Sequence, residues 1–414
     1  MASSFTHFIL LLPLFVFPSF SNAFSLPNPF GNSFDLERDP STLQYMIKIN
    51  QGTPQAEVKL VIDLGGKLPW FGCRKGYNSS SYRPASCMSP QCSQASKPVK
   101  IQQHDVGKGD LISDLMAVTY NFNPEVSPTV TSLRRFAFGC AASSNFFTGL
   151  PKASKGVAGL GRSSALSLVP QISVAFRLSR IFALELFDGS GNDQGEIFDG
   201  NIYFGGGPYI HYDWGYGDWA NRVLTYTPLL INPKSREEYF VDLKSIKVHG
   251  ETVRINKKLL SINKKTGTGG TKSDIQTPCT TLETSIYKAF IKVHTAWAEH
   301  LNNANAEFND NLNITAVAPV APFTSCYNSS TMSRVLSWLN NMPPSVAFIF
   351  PKSAMNISLF DLVRSKDGVD CVGFIDGGSK PMTSIVIGAR QAGFLEFDIS
   401  RSRLGFVEPN LKNF

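Results

Sequence analysis

An all-β protein in two lobes is the fold class this sequence predicts. Three observations carry it. Short runs rich in β-branched and aromatic residues recur along the whole chain, bounded by Gly, Pro, Asn or Asp. Helical spacing is scarce, and no alternation of strand and helix marks a parallel doubly wound sheet. A coarse internal echo is present: LVIDLGGKL near residue 60 and DIQTPCTTL near 278 each place a polar turn after strand-like residues, and each is followed later by an apolar stretch ending in glycine, VAGLGR and SIVIGA. Two similar β lobes facing one another account for that echo.

The predicted strands, in order, are QYMIKIN, EVKLVIDL, LMAVTYNF, RRFAFGC, GNIYFGG, VLTYTPLL, YFVDLKSIKVHG, SVAFIF, SIVIGA, GFLEFDI and RLGFVEP. The segment TSIYKAFIKVHTAWAEHLNNA puts Ile286, Phe290, Val293, Trp297 and Leu301 on one face and is the one long helix expected. LSLVPQISVAF is a shorter one. The 414 residues suffice for two lobes with cores of their own. The lobes are expected at 24–232 and 233–414, joined at the Pro-containing stretch that begins at Asn232.

The first 23 residues contain no Lys, Arg, Asp or Glu, and an apolar centre from Phe8 to Phe17 ends in Ser-Asn-Ala. They read as a secretory signal peptide cut after Ala23. Pro13 and Pro18 interrupt the run, which is short for a membrane span. Export agrees with four glycosylation acceptors, at Asn78, Asn313, Asn328 and Asn356. Seven cysteines, an odd number, leave at least one thiol outside any internal disulfide. Their spacing offers no zinc site. The net charge of +7 is scattered rather than gathered into an aromatic-interleaved basic stripe, which argues against nucleic-acid binding.

One stretch points to specific chemistry: VIDLGGKLPWFGC, residues 61–73, where an apolar run leads to Asp63 and then to Gly65 and Gly66. Together with SSSYRPASCMSPQCS, FAFGCA, GVAGLGR, LTYTPLLINP, YFVDLKSIKV, GGTKS, TLETSIYKAF and SIVIGARQ, it makes the chain, from about Tyr45 to Val407, resemble the pepsin-like aspartic peptidases. The resemblance is to their plant branch of extracellular dermal glycoproteins, basic seed globulins and cereal xylanase inhibitors. It implies a bilobal pepsin-like aspartic peptidase fold with few short helices and a cleft between the lobes, and no cofactor or metal.

Such peptidases place two carboxyls side by side, sharing one proton because two like charges that close cannot both ionise. Each acid sits in an Asp-Thr/Ser-Gly turn whose hydroxyl ties one lobe to the other. Here the first turn is Asp63-Leu64-Gly65-Gly66, so its hydroxyl is lost. For the second, KSDIQTPCTTLETSIY allows two registers. Matching the Thr-x-Leu segment to Thr280-Thr281-Leu282 puts Thr277 where the second aspartate belongs and Cys279 on the glycine. The rival register puts Asp274-Ile275-Gln276-Thr277 there, but with Gln on the glycine, Lys272-Ser273 in place of an apolar lead-in, and Leu282 three positions late. The first register is the expectation, and with it a dead dyad of Asp63 and Thr277. The flap region, QQHDVGKGDLISDLMAV, also lacks the tyrosine that active relatives carry.

The resemblance further implies the pairings Cys73–Cys140 and Cys326–Cys371, a default bridge between Cys87 and Cys92, and Cys279 as the odd thiol. Arg390, in IGARQ, falls where family members present a basic residue on a C-terminal-lobe loop, although this chain is two residues shorter after Gln391. The implied function is a secreted, inactive homologue that inhibits microbial glycoside hydrolases, xylanases or xyloglucan endoglucanases, in the cell wall. A basic globulin with a storage or peptide-binding role is the second reading. A residual endopeptidase using Asp63 and Asp274 is the third. The expected partner is a glycoside hydrolase, with no nucleic acid and no membrane.

Overall fold

Backbone pairing in the computed structural model follows the expected strand pattern. The structure describes residues 34–73, 77–84, 99–100, 108–120, 129–141, 144–186, 199–207, 209, 224–306, 313–338, 345–358, 363–364 and 368–407. The proposed leader and the Cys87–Cys92 pair lie outside them.

In the first half, Tyr45–Gln51 runs antiparallel to Ala56–Asp63, with Met46 opposite Val61 and Gln51 opposite Ala56. Period-two alternation sends Val58, Leu60 and Ile62 into the main core and Val61 to a smaller cluster around Trp70. In the second half, Ser235–Val241 pairs with Thr271–Ser273, which in turn runs parallel to Ile385–Ile387.

The halves are woven into each other. Ile181–Leu186 pairs antiparallel with Phe394–Asp398, and Leu224–Asn232 with Arg403–Val407, so the last strands of the chain complete a sheet begun by the first half. The stretch at Asn232, where the lobes are expected to join, is a hairpin turn, with Asn232 paired to Ser235. Asn232 is buried, its Oδ1 accepts the Lys234 N–H at 3.0 Å, and its Nδ2 donates to Gly267 O at 2.7 Å.

Both expected helices form. Leu168–Phe176 spans nine residues and Thr284–Ala306 spans 23, with Ile286 and Phe290 buried and Val293, Trp297 and Leu301 packed against the core. A further helix, Ser329–Trp338, was not expected. Its start is fixed by Asn328, whose Oδ1 accepts the N–H groups of Ser330 at 3.0 Å and Thr331 at 3.3 Å, and it packs through Met332 and Val335.

Among the described residues the disulfides are Cys73–Cys140 and Cys326–Cys371, and Cys279 is a buried thiol. The second bridge joins residues paired directly across two strands and closes a sequence separation of 45. Replacing Cys326 and Cys371 together by alanine is expected to lower the unfolding free energy by about 2–5 kcal/mol. Urea unfolding of the double variant beside the reduced and oxidised wild type checks this, and unchanged stability would contradict it.

Candidate functional site

The first loop hangs from parallel pairing. Ala56–Asp63 lies beside Gly156–Gly159 with Asp63 opposite Gly159. The Asp63 carbonyl accepts the N–H of Leu160 at 2.8 Å and of Gly66 at 3.3 Å, and its Oδ1 accepts the Gly65 N–H at 2.8 Å. The Gly66 carbonyl accepts the Gly161 N–H at 2.8 Å. A Cβ on Gly66 would come within 2.7 Å of Gly159 Cα, so the crossing admits only glycine.

The second lobe repeats this arrangement at Asp274. Thr271–Ser273 lies parallel to Ile385–Ile387, and the Asp274 N–H donates to Ile387 O at 3.0 Å. Asp274 Oδ1 accepts the Gln276 N–H at 3.1 Å, and the Thr277 N–H approaches Asp274 O at 3.4 Å. The Thr277 carbonyl accepts the Ala389 N–H at 2.9 Å, as Gly66 does from Gly161. Asp274 is thus the counterpart of Asp63, and Thr277 the counterpart of Gly66. This corrects the expected register: Thr277 does not occupy the second aspartate's place. The misreading has a physical cause. The turn from Gln276 to Cys279 absorbs the additional residues before Leu282, so spacing from the Thr-x-Leu segment misplaces the acid while the backbone bonds keep it.

What has changed is the rest of the turn. Leu64 and Ile275, in the two hydroxyl positions, are 2% and 1% exposed and belong to one continuous apolar core. They fill the space by packing and make no cross-lobe hydrogen bond. Gln276 stands where the first loop has Gly65, and its Nε2 is buried with no partner among the described residues. Below the loop, Thr280 is locked by Gln391, whose Oε1 accepts both the Thr280 N–H at 2.8 Å and its hydroxyl at 2.9 Å. Gln391 therefore holds the second loop in place.

A lysine and a glutamate stand beside the two acids. Lys272 precedes Asp274 by two residues and so faces the same side of its strand, whereas Ser273 is buried on the other. Lys272 Nζ lies 2.6 Å from Glu238 Oε1 and 3.3 Å from Asp274 Oδ2. Glu238 also reaches the first loop: a Cβ on Gly65 would sit 3.4 Å from Glu238 Cγ. Burial, then the Asp274 charge, push the Asp63 carboxyl up to about 7, against the Gly65 N–H and Lys272, which favour its anion. Burial works against the Lys272 charge, but Asp274 and Glu238 outweigh it and raise that ammonium above the usual lysine range. Beside the pair opens a pocket of about 370 Å3 lined by Gly65, Lys67, Ser163, Lys234, Arg236 and Glu238 among others. Sequence reasoning had counted Lys272 against the correct register. The signal it missed was the two-residue step that sets this lysine on the same face as an acid.

Arg390 lies on the single turn Ala389–Ala392, half-buried, with its N–H donating to Pro278 O at 2.9 Å. It follows directly on the residue that bonds Thr277, so it sits next to the second loop. Of the glycosylation candidates, Asn78, Asn313 and Asn356 are exposed, whereas Asn328 is half-buried and caps its helix. Residues 101–107, in the flap region, lie outside the described residues.

Two family models match this chain: xylanase inhibitor N-terminal over residues 45–201 and xylanase inhibitor C-terminal over 238–408. The chain belongs to the xylanase inhibitor family. Similar family proteins include one named "Probable aspartic proteinase GIP2" from Nicotiana benthamiana, 35% identical over 98% of this chain and 95% of that one. Gamma conglutin 1 of Prunus dulcis is 30% identical over 90% of this chain and 85% of its own. Among solved structures, edgp superposes with a TM-score of 0.75 at 32% identity, covering 92% of this chain and 95% of that chain. Basic 7S globulin from soybean gives 0.67 at 26%, covering 92% and 96%. These neighbours share the pepsin-like fold, and the family includes non-catalytic inhibitors and seed globulins.

Proposed function

We propose that this protein is a secreted, catalytically silent member of the family that inhibits microbial glycoside hydrolases, xylanases or xyloglucan endoglucanases, in the cell wall. The observation that carries the silent half of this reading is the apolar pair Leu64 and Ile275, buried where both turns need a hydroxyl. Without those tethers the two acids are not held for attack on a peptide bond, and losing parts of a catalytic unit that act together costs orders of magnitude in rate. The inhibitory half is supported by the match to both xylanase inhibitor models. Its chemistry is direct. A retaining glycosidase carries two carboxylates about 5–5.5 Å apart, and a guanidinium can bridge such a pair with a planar fork. Arg390 is the residue assigned that role, as the guanidinium-bearing residue next to the second loop. Cleavage after Ala23 and glycans on Asn78, Asn313, Asn328 and Asn356 belong to the same secreted reading.

A panel of bacterial and fungal xylanases and endoglucanases, titrated with wild-type protein and with Arg390→Ala, tests it. Stoichiometric inhibition is expected, weakened by about tenfold or more in the variant, with an association rate that falls as salt rises. Full inhibition by Arg390→Ala would remove the site assignment. No inhibition of any enzyme would favour a second reading, a basic globulin with a storage or peptide-binding role, which the conglutin and 7S globulin relatives support. Cleavage of denatured globin at acid pH, abolished in Asp63→Asn and in Asp274→Asn, would instead establish a residual endopeptidase.

A further inference from the structure

We propose that Lys272 is a built-in counter-ion masking an otherwise complete acid pair, Asp63 and Asp274, and that the cleft binds a hydroxyl-bearing peptide only once this ammonium is removed. The inference concerns the cleft alone and does not rest on the inhibitor reading.

The pair is complete in its placement. Asp63 ends the strand Ala56–Asp63, Asp274 follows directly on the strand Thr271–Ser273, and each accepts the N–H two residues on, Gly65 at 2.8 Å and Gln276 at 3.1 Å. Each loop carbonyl three residues after its acid accepts one N–H from the partner segment, Gly161 at 2.8 Å and Ala389 at 2.9 Å. Two acids so placed cannot both carry their charge without a positive equivalent beside them. In a working pair that equivalent is a shared proton. Here the chain adds an ammonium of its own.

Lys272 is built to stay there. It faces the same side as Asp274 because the two are separated by one residue in an extended segment. Glu238, from the neighbouring strand, holds it from the other side at 2.6 Å, a shorter contact than the 3.3 Å to Asp274. The lysine side chain is 15% exposed and each carboxylate partner 25%, so this is an enclosed three-charge cluster rather than a solvated surface pair. The charged groups facing Asp63 are Asp274 and Lys272 from one strand and Glu238 from the next, and the Gly65 N–H adds a dipole.

The consequence for ligands follows from hydrogen-bond roles. A hydroxyl placed between two such acids accepts a bond from the protonated one and donates a bond to the ionised one. Asp63 can be the protonated partner, but Asp274, on the accepting side, already has an oxygen engaged by the ammonium. Removing Lys272 frees that acceptor. It also leaves a proton as the only compensation, so Asp63 should hold its proton to higher pH.

Full-length Lys272→Met tests this, with Lys272→Arg as the charge-keeping control and the double variant Lys272→Met, Glu238→Gln in reserve, since it strands one charge fewer. Asp63 is followed by carboxyl-13C titration, assigned by its loss in Asp63→Asn. A peptide carrying a statine-type hydroxyl is titrated into each protein calorimetrically at pH 5. In Lys272→Met the Asp63 midpoint should rise by about one pH unit or more, and affinity for the peptide should increase at least about tenfold over wild type. Lys272→Arg should match wild type in both. The proposal is overturned if either readout keeps its wild-type value in a folded variant lacking Lys272. If Lys272→Met fails to fold, the double variant decides by the same two readouts.

Discussion

Phe397→Ala is expected to lower the unfolding free energy by about 3–5 kcal/mol. Phe397 lies on the penultimate strand of the second half and Phe182 on a strand of the first, and both are fully buried. Their rings stack at 4.6 Å with an interplanar angle of 8°, and the edge of Tyr239 closes the group 4.6 Å from Phe397. Three segments distant in sequence thus meet in one aromatic contact. A cavity opened there cannot collapse easily, because each ring stands on a strand held by ladder hydrogen bonds on both sides. The damage should also reach the site. The Tyr239 hydroxyl donates to Leu160 O at 2.7 Å, and the Leu160 N–H holds the Asp63 carbonyl. Urea unfolding measures the loss. Val174→Ala, on a side chain 79% exposed, serves as a control expected within about 0.5 kcal/mol of wild type. A loss below about 1 kcal/mol for Phe397→Ala would mean that this aromatic contact does not join the halves.

That contact also shows what a sequence cannot display. Phe397 is legible as a strand residue, since GFLEFDI reads as a strand, whereas IFALEL, the strand that holds Phe182, was not among those predicted. Nothing local says that strands more than 200 residues apart are neighbours. The class of fold was legible because β propensity and turn residues act locally, and the helix Thr284–Ala306 because its apolar positions repeat on one face. The helix Ser329–Trp338 was hidden because its strongest start signal, Asn328, also reads as a glycosylation acceptor. In the site, Asp63 was legible from its apolar lead-in and glycines. Asp274 was not, since its lead-in is Lys272-Ser273 and its glycine is replaced by Gln276. The second loop keeps its shape through main-chain bonds to Ile387 and Ala389, which leave no mark on residue identity. Glu396 shows the same limit: it is 3% exposed in a fully buried strand, and its partners Tyr209 and Tyr226 lie about 170 to 190 residues away.

Stability should fall as pH rises from about 4 to about 7, and Asp63→Asn should remove that part of the slope. Asp63 carries a carboxyl pushed up to about 7 by burial first and by the charge of Asp274 second. In the unfolded chain the same group loses its proton near the ordinary aspartate value of about 4. Between these limits the folded state binds more protons than the unfolded one, so unfolding becomes easier with each step upward in pH. The contribution is fully present below pH 4, declines through the window and is spent above about 7. It amounts to no more than about 4 kcal/mol, and rearrangement of the loop would reduce it. Asparagine keeps an oxygen for the Gly65 N–H and has no charge to bury. The variant should therefore be flat in this window with respect to that group and more stable than wild type near pH 7. Urea unfolding at pH 4, 5.5 and 7 gives the comparison. Parallel profiles for wild type and variant would mean that Asp63 is ionised throughout, with Lys272 and the Gly65 N–H outweighing burial and Asp274. A converging pair, equal near pH 4 and separated near pH 7, would show a carboxyl that folding keeps protonated, the state a hydroxyl ligand requires of it.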